Sequence, residues 1–553
     1  MERRFILAIV LMLLVAILPS LFLKKPAVRR TGGQPDTSRV RAESAATTPP
    51  VVAPSAGPPV RASAEAPAET VWVSSPLYRL GFSTLGGRLV HVELLQFRSF
   101  SPIDASRDVQ LVPPGTGLLG MRLVQGADTA DLEGWTFKPD IEQLRVGAPG
   151  TKLTLTAERG DARVVLEYTF SPDEYRFDVV GRVAGLGRTG AVLALDLGQG
   201  LRSVEADSID DYRHYAVVTK AGKTQSTAFQ SLKPGEARLL DGPFEWVGVK
   251  SKYFLLAALT LEENEPRFAG SIAVGGARTG KSASRAAVSV TLPVAAAGDL
   301  RFQVYAGPLE YRRLAAIGHD LDDANPYGGF LRPFIQPVSV WVVNILLWMH
   351  GNLHLAYGWV LVIFGILIRV LLWPLNQRAM ESSIRMQAVQ PLIKSTQDRY
   401  KDEPERLQRE MMKIYKEHQV NPLGGCLPML IPMPVLFALF FVFNNTIEFR
   451  GVPFLWLPDL SRADPYYIIP VIMGLSMFVL SKVGQMGAPP NPQATMMLYF
   501  MPIFMTVLFV RFASGLNLYY AVSNIFSIPQ QYRIARRRMA QQRSPKPAPA
   551  TPG

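Results

Sequence analysis

Residues 357–375 read YGWVLVIFGILIRVLLWPL, 19 residues carrying a single charge, Arg369. A stretch this long and this apolar reads as a membrane-spanning helix, because about 20 residues at about 1.5 Å each cross the hydrocarbon core. On its C-terminal side, Gln419–Ile447 has no formally charged residue and holds a second span, placed at 426–445. Tyr466–Ser481, Thr495–Val510 and Phe512–Tyr532 supply three more, at about 466–482, 495–511 and 513–532. Near the start, Phe5–Leu23 is uncharged and follows Arg3-Arg4. No small residues stand at cleavage spacing before Lys24, so residues 1–25 read as a retained anchor rather than a signal peptide.

The remaining sequence differs in kind. From Pro26 to about Thr70 it is Pro, Ala, Ser, Thr and Val without periodicity, which reads as a disordered linker, 26–70. In 71–325, Val71-Trp72-Val73, Leu153/Leu155, Tyr175–Val179 and Val288/Val290/Leu292 follow period 2. The pairs Gly86-Gly87 and Gly275-Gly276 punctuate them. Many short strands with turn signals predict an all-β sandwich large enough to bury its own core. Leu314, Ile317 and Leu321 predict a short amphipathic helix leading back to the membrane.

Charge placement sets the topology. The chain of 553 residues has 58 Lys plus Arg against 45 Asp plus Glu, a net +13, yet only 19% of residues are charged. Residues 1–41 carry eight Lys/Arg and two acids, and 531–553 carry six Lys/Arg and no acid, so the ends hold 12 of the 13 net charges. A uniformly basic surface is therefore excluded, and DNA is not an expected partner. Phe334–Met349 is ambiguous: 16 apolar-leaning residues interrupted by Gln336, Pro337 and Asn344. Laid in the interface, it leaves six spans, with 16 Lys/Arg on one side and only Arg450, Arg462 and Arg511 on the other. Made a span, it would put the nine basic residues of 376–418 on the side of the β domain. The positive-inside rule thus favours six spans, both termini cytoplasmic and the β domain outside. Lys24, Lys25, Arg29 and Arg30 then lie outside, against the rule.

Few residues suggest chemistry. The single cysteine, Cys426, sits in an apolar setting and reads as a packing residue; no Cys/His spacing resembles a metal site. Gly275–Ser282 fits G-x-x-x-x-G-K-[ST], but a phosphate loop needs a helix after its lysine, and Val288-x-Val290-x-Leu292 is a strand. A hairpin turn is the better reading. No G-x-S-x-G, H-E-x-x-H or paired-carboxylate site stands in a convincing context, so neither catalysis nor a cofactor is expected. Arg369 admits two readings: snorkelling to the cytoplasmic interface, or facing a water-filled cavity between helices. Asn517, Tyr520, Asn524, Ser527 and Gln531, spaced 3, 4, 3 and 4, share one helix face. Such a stripe either bonds neighbouring helices or lines a hydrated groove opposite Arg369, the preferred reading. Pro428, Pro432, Pro434, Pro470 and Pro502 suit bent helices around it.

Thirteen of the 18 Met lie between 380 and 505, Met429, Met433, Met473 and Met505 among them. They read as ordinary membrane packing or as an adaptable slide for apolar segments. The loop 376–420 reads as a cytoplasmic helical hairpin, with Asp402 able to cap a helix begun by Pro404. Glu405/Arg409, Arg406/Glu410 and Lys413/Glu417 are paired, and Leu407, Met411 and Ile414 form an exposed apolar stripe.

The runs Asn421–Pro428 (NPLGGCLP), Asp464–Pro470 (DPYYIIP) and Ser514–Tyr520 (SGLNLYY) closely resemble the YidC/Oxa/Alb family of membrane protein insertases, in its Gram-negative form. The resemblance covers about 330–535 strongly, and the anchor, linker and outer β domain fit it. It implies an inner-membrane protein with a five-helix core, 326–532, around a groove open to cytoplasm and lipid, and a periplasmic β-supersandwich shaped like mutarotase-related domains. It implies nascent membrane-protein clients, work alone or with the Sec translocon, Arg369 as groove arginine and Tyr520 as an aromatic client contact. Gly365 and Pro432 depart from positions that can be polar in relatives. The basic tail, 533–553, with Arg533, Arg536, Arg537 and Arg538, is then expected to meet membrane lipid or the ribosome, or simply to retain that end. A solute transporter would need an internal repeat, and an envelope-assembly enzyme a convergent catalytic set; neither is visible.

Overall fold

A computed structural model describes residues 68–125, 128–185, 191–262, 266–325, 327–328, 331–420, 433–487 and 492–543. The anchor, most of the linker, Lys24, Lys25, Arg29 and Arg30, the run 421–432 with Cys426, Met429, Pro428 and Pro432, and residues 544–553 lie outside them. The chain divides into two compact units, at Gly307/Pro308.

The first unit is β throughout, as period-2 alternation demands. In Thr151–Arg159 and Ala162–Phe170, Leu153, Leu155, Val164, Leu166 and Tyr168 are buried while their neighbours are not. These strands belong to a nine-stranded sheet, in the order Thr224–Ala228, Ala216–Lys220, Trp246–Lys250, Phe254–Leu259, Asp299–Pro308, Arg176–Ala184, Ala162–Phe170, Thr151–Arg159 and Lys138–Pro139. A six-stranded sheet runs Ala237–Phe244, Phe268–Gly275, Ala286–Pro293, Val192–Asp196, Gly120–Gln125 and Asp128–Asp131. A five-stranded sheet includes Tyr78–Ser83, whose Phe82 packs on Tyr168 at 4.8 Å and on Phe170 and Phe177 at 6.2 Å. The phosphate-loop pattern is a hairpin: Arg278–Thr279 pairs antiparallel with Ser282–Ala283, and Gly280 takes the left-handed conformation that the turn requires.

Not every strand alternates. Ala216–Lys220, Trp246–Lys250 and Phe254–Leu259 are buried at every position, so charged residues are carried inside. Beside them the short helix α1 (Ser208–Tyr212) brings Asp210 to Lys252 at 2.9 Å. Asp211 accepts Ser203 Oγ at 2.7 Å and the Lys252 backbone N–H at 3.0 Å, and His214 Nδ1 lies 3.0 Å from the Asp210 carbonyl. Burial, reinforced by Glu205, pushes the Asp211 carboxyl up to about 7. Burial, reinforced by Lys252, pushes His214 down to about 4.

The two shifts act oppositely on stability. Folded Asp211 keeps a proton that the unfolded chain loses, so its contribution falls as pH rises from 3.8 to about 7. His214 stays neutral where the unfolded chain is protonated, so its contribution falls as pH drops from 6.5 to about 4. Lys250, lowered to about 7 by burial, titrates above this window. Asp210, held down by Lys252 and His214 against the effect of burial, titrates below it. Between about pH 4 and 6.5 the Asp211 and His214 slopes cancel. Asp211→Asn is therefore expected to lose about 1.4 kcal/mol of stability per pH unit on acidification through that range, relative to the parent. Denaturation of the full chain in detergent at pH 4.5 and 6.5 checks this; parallel behaviour of the two proteins counts against it.

The second unit is helical: α2 (Tyr311–Ile317), α3 (Arg332–Leu353), α4 (Tyr357–Leu371), α5 (Trp373–Arg399), α6 (Pro404–Glu417), α7 (Met433–Asn445), α8 (Ile468–Gln485), α9 (Pro492–Phe509) and α10 (Ser514–Arg543). By length and composition, α3 and α8 each suffice to cross a membrane, and α4 with the start of α5 forms a third candidate bent by 53°. The bend falls inside the expected span 357–375, because Pro374 has no N–H to continue the helix and clashes with the preceding turn. The block expected at 334–349 is in fact a 22-residue helix. Shortness is thus no reason to keep it out of the bilayer.

The turn between α7 and α8 explains two of the motif runs. Buried Asp464 accepts the backbone N–H groups of Tyr466 at 3.0 Å and Ile469 at 2.8 Å, satisfying the start of α8. Ser514 N–H donates to Arg462 O at 2.7 Å and Gly515 N–H to Leu460 O at 2.9 Å, so the start of α10 is docked on the same turn.

Helices α5 and α6 form the expected hairpin, with two corrections. Glu403, not Asp402, flanks α6, and Arg406 pairs with Glu403 at 3.4 Å rather than with Glu410. Glu405–Arg409 and Lys413–Glu417 are found at 3.8 and 4.0 Å. Met411 and Ile414 pack with Tyr415 and Met386 on buried Val389, Ile393 and Val420. Those two residues of the apolar stripe thus close the hairpin on itself instead of remaining exposed.

Candidate functional site

Arg369 stands two residues before the end of α4, half-buried among apolar neighbours. Its Nε donates to Ser527 Oγ on α10, and Ser527 Oγ donates in turn to the Ser523 carbonyl at 2.5 Å. Gly365, one turn earlier, admits α10 this closely: a Cβ there would meet Val522 Cγ1 at 3.3 Å and Tyr519 at 3.5 Å. Tyr519 is buried and packs on Phe364 with ring centroids 6.1 Å apart. Among the described residues no Asp or Glu forms an ion pair with Arg369. Its guanidinium carries five donors, and Ser527 takes the one on Nε.

The polar stripe on α10 is divided. Ser527 meets Arg369 directly. Asn517, wholly buried, donates to the Phe509 carbonyl at 3.0 Å at the end of α9. Asn524 donates to Ser476 Oγ on α8 at 3.2 Å. Tyr520 is partly buried, edge-on to Phe509 at 5.4 Å. This corrects the picture of one continuous hydrated stripe: Asn517 and Asn524 each donate a side-chain bond to a neighbouring helix, while Asn517 Oδ1 is buried without a hydrogen-bond partner among the described residues.

The methionines are corrected similarly. Met473 and Met505 are buried packing residues and form no open sliding surface, while Met433 is half-buried. Met429 lies outside the described residues. In the tail, α10 continues without a break through Arg543. Arg533, Arg536 and Arg537 are exposed. Arg538 is not: it is buried and donates through Nη1 to the Gly484 and Met486 carbonyls at 3.2 and 3.5 Å. Those carbonyls lie at the C-terminus of α8, where a cation satisfies orphan acceptors and complements the helix dipole. Arg538 thus joins two helices and is removed from the set available to lipid or ribosome.

Sequence reading missed a second polar cluster. Asn376 Nδ2 donates to Gln530 Oε1 at 3.2 Å, and Gln530 Nε2 donates to the Trp373 carbonyl at 3.3 Å. Gln530 follows Ser527 by three residues, a spacing that signals a shared face, but nothing local indicated its partner.

Two family models match the chain in succession. The family described as the YidC periplasmic domain matches residues 70–341, and the 60Kd inner membrane protein family matches 348–542. The membrane protein insertase YidC of Syntrophus aciditrophicus is 31% identical over 474 residues, 84% of this chain and 85% of the relative. That of Aromatoleum aromaticum is 32% identical over 489 residues, 84% of each. A crystal structure of an active YidC insertase with its first transmembrane domain resolved is similar at 18% identity, covering 86% of this chain and 93% of that one, with a TM-score of 0.35. With a periplasmic β-rich domain ahead of a helical inner-membrane core, the chain belongs to the YidC family of membrane protein insertases.

Proposed function

We propose that this chain inserts nascent membrane proteins into the inner membrane, and that Arg369 is where a client's hydrophilic segment is received. The observation that carries the site is a half-buried guanidinium, held by Ser527 and without a carboxylate partner among the described residues. A short hydrophilic terminus entering beside Arg369 leaves a thinner hydrocarbon layer to cross. Transfer of the apolar client segment into lipid then drives the step, at about 25 cal/mol per Å² of apolar surface removed from water. No nucleotide is needed for that.

The topology belongs to the same reading: six spans, a five-helix core, both termini cytoplasmic, and the domain bounds given above. α3 then lies in the interface. In its favour, Phe334, Trp341 and Trp348 are all exposed at seven-residue intervals along one face. Aromatic residues favour the headgroup level, and a spanning helix would carry Trp341 to mid-bilayer. The exposed Arg533, Arg536 and Arg537 are assigned to anionic lipid or the ribosome, and cooperation with the Sec translocon is assigned to the whole chain. Tyr520 and Met433 remain assigned to client contact.

Reconstitution of the purified chain into liposomes with a short, ribosome-free client tests the function. Protease protection of the client that depends on the protein and needs no ATP is the expected result. Protection that appears only with ATP, or equally in empty liposomes, would overturn it.

A further inference from the structure

Ser527 and Gln530 are three residues apart on α10, and they grip opposite sides of one break. Ser527 holds Arg369, before the bend at Leu372; Gln530 holds Asn376 and the Trp373 carbonyl, after it. Gln530 is 3% exposed and Asn376 8% exposed, so both amides lie away from solvent. Each end of the Gln530 amide is used, Oε1 as acceptor and Nε2 as donor, which fixes its orientation. Pro374 leaves the first turn of α5 without an N–H at that position, so the 53° bend between α4 and α5 is not held by an unbroken helical ladder. Side-chain bonds from α10 take over that task.

We propose that Gln530 is a positioning residue for insertion. With Asn376 it sets the bend between α4 and α5, and through the bend it aims both Arg369 and the base of the α5–α6 hairpin. Arg369 sits on the last turn of α4 and the hairpin begins with α5, so releasing the clamp frees both together. The role of Arg369 in this inference rests on the reading under Proposed function; the bend itself does not.

The test uses the full chain in liposomes, with Cys426→Ser and spin labels at exposed Met412 on α6 and exposed Ile525 on α10. Gln530→Met keeps the side-chain length and removes both hydrogen bonds. If it fails to accumulate, Gln530→Glu keeps the acceptor for Asn376 and loses the donor to Trp373. The parent is expected to give one narrow label distance, and the variant a distribution shifted or broadened by about 5 Å, roughly one helical turn. Insertion of clients with acidic outer segments is expected to fall about fivefold, in line with one or two lost hydrogen bonds. Clients without such segments are expected to be spared, and Gln530→Met to add no loss in an Arg369→Ala background.

Unchanged label distances beside an impaired Arg369→Ala overturn the clamp and leave the Arg369 reading standing. Moved distances beside an unimpaired Arg369→Ala overturn the Arg369 reading, and the positioning role with it. Equal losses across all clients, or additive losses in the double variant, reduce Gln530 to a structural contact and also overturn the proposal.

Discussion

Arg369→Ala is expected to lower insertion of clients with acidic outer segments by about 10- to 100-fold, while Arg369→Lys keeps most of the activity. A hydrogen bond to a charged group contributes about 1.5–3 kcal/mol, and each 1.4 kcal/mol is a factor of ten. The half-buried setting places the interaction above the value of a surface pair, which is about 0–1 kcal/mol. Lysine loses the Nε bond to Ser527 but keeps the charge that attracts a carboxylate. Protease protection in liposomes, scored on paired clients that differ only in acidic residues, measures both variants. Indistinguishable insertion by parent and Arg369→Ala across several acidic clients removes the electrostatic role.

Lys252→Met is expected to destabilise the β domain by about 3–5 kcal/mol, the cost of leaving a buried partner charge uncompensated. The Lys252–Asp210 pair stands at 2.9 Å with each side chain only 10% exposed. Arg213, 3.7 Å from Asp210 but 41% exposed, replaces little of the lost interaction. The backbone N–H of Lys252 still serves Asp211, so the loss is confined to the ammonium. Restoring neutrality with Asp210→Asn in the Lys252→Met background is expected to recover most of the stability, since the penalty is the orphaned charge and not the missing bond. Thermal unfolding of the full chain, followed by near-UV circular dichroism, is expected to move down by roughly 10 °C in the single variant. A single variant within about 2 °C of the parent would falsify this account.

Local pattern was enough for some elements and not for others. Leu153/Leu155 and Val288/Val290/Leu292 announce strands because alternation is a property of the strand itself, and they lie in Thr151–Arg159 and Ala286–Pro293. The buried strands Trp246–Lys250 and Phe254–Leu259 carry no alternation to read, since both faces are covered. The network of Asp210, Asp211, His214 and Lys252 was equally invisible, because Asp and Lys ordinarily stand at a surface and His is buried only some of the time. In the helical unit the hairpin pairs at 405/409 and 413/417 follow from spacing alone. The partner of Arg406 does not, because both a preceding and a following acid lie within its reach.

By itself the sequence determined the apolar blocks, the β domain ahead of them, the concentration of charge at the ends and the one arginine set into an apolar helix. Each follows from composition or period along a few consecutive residues. Only the tertiary structure decided which polar groups meet. Asn517, Asn524 and Ser527 share a helix face, yet from 517 to 531 the stripe runs about 21 Å along the axis, and its neighbours change from the end of α9 to α8 to α4. The clamp of Gln530 on Asn376 joins residues 154 positions apart, and Arg538 reaches back 54 to Gly484. Helical periodicity tells which face a side chain occupies; what that face touches depends on how distant helices cross, and no local run of residues encodes that.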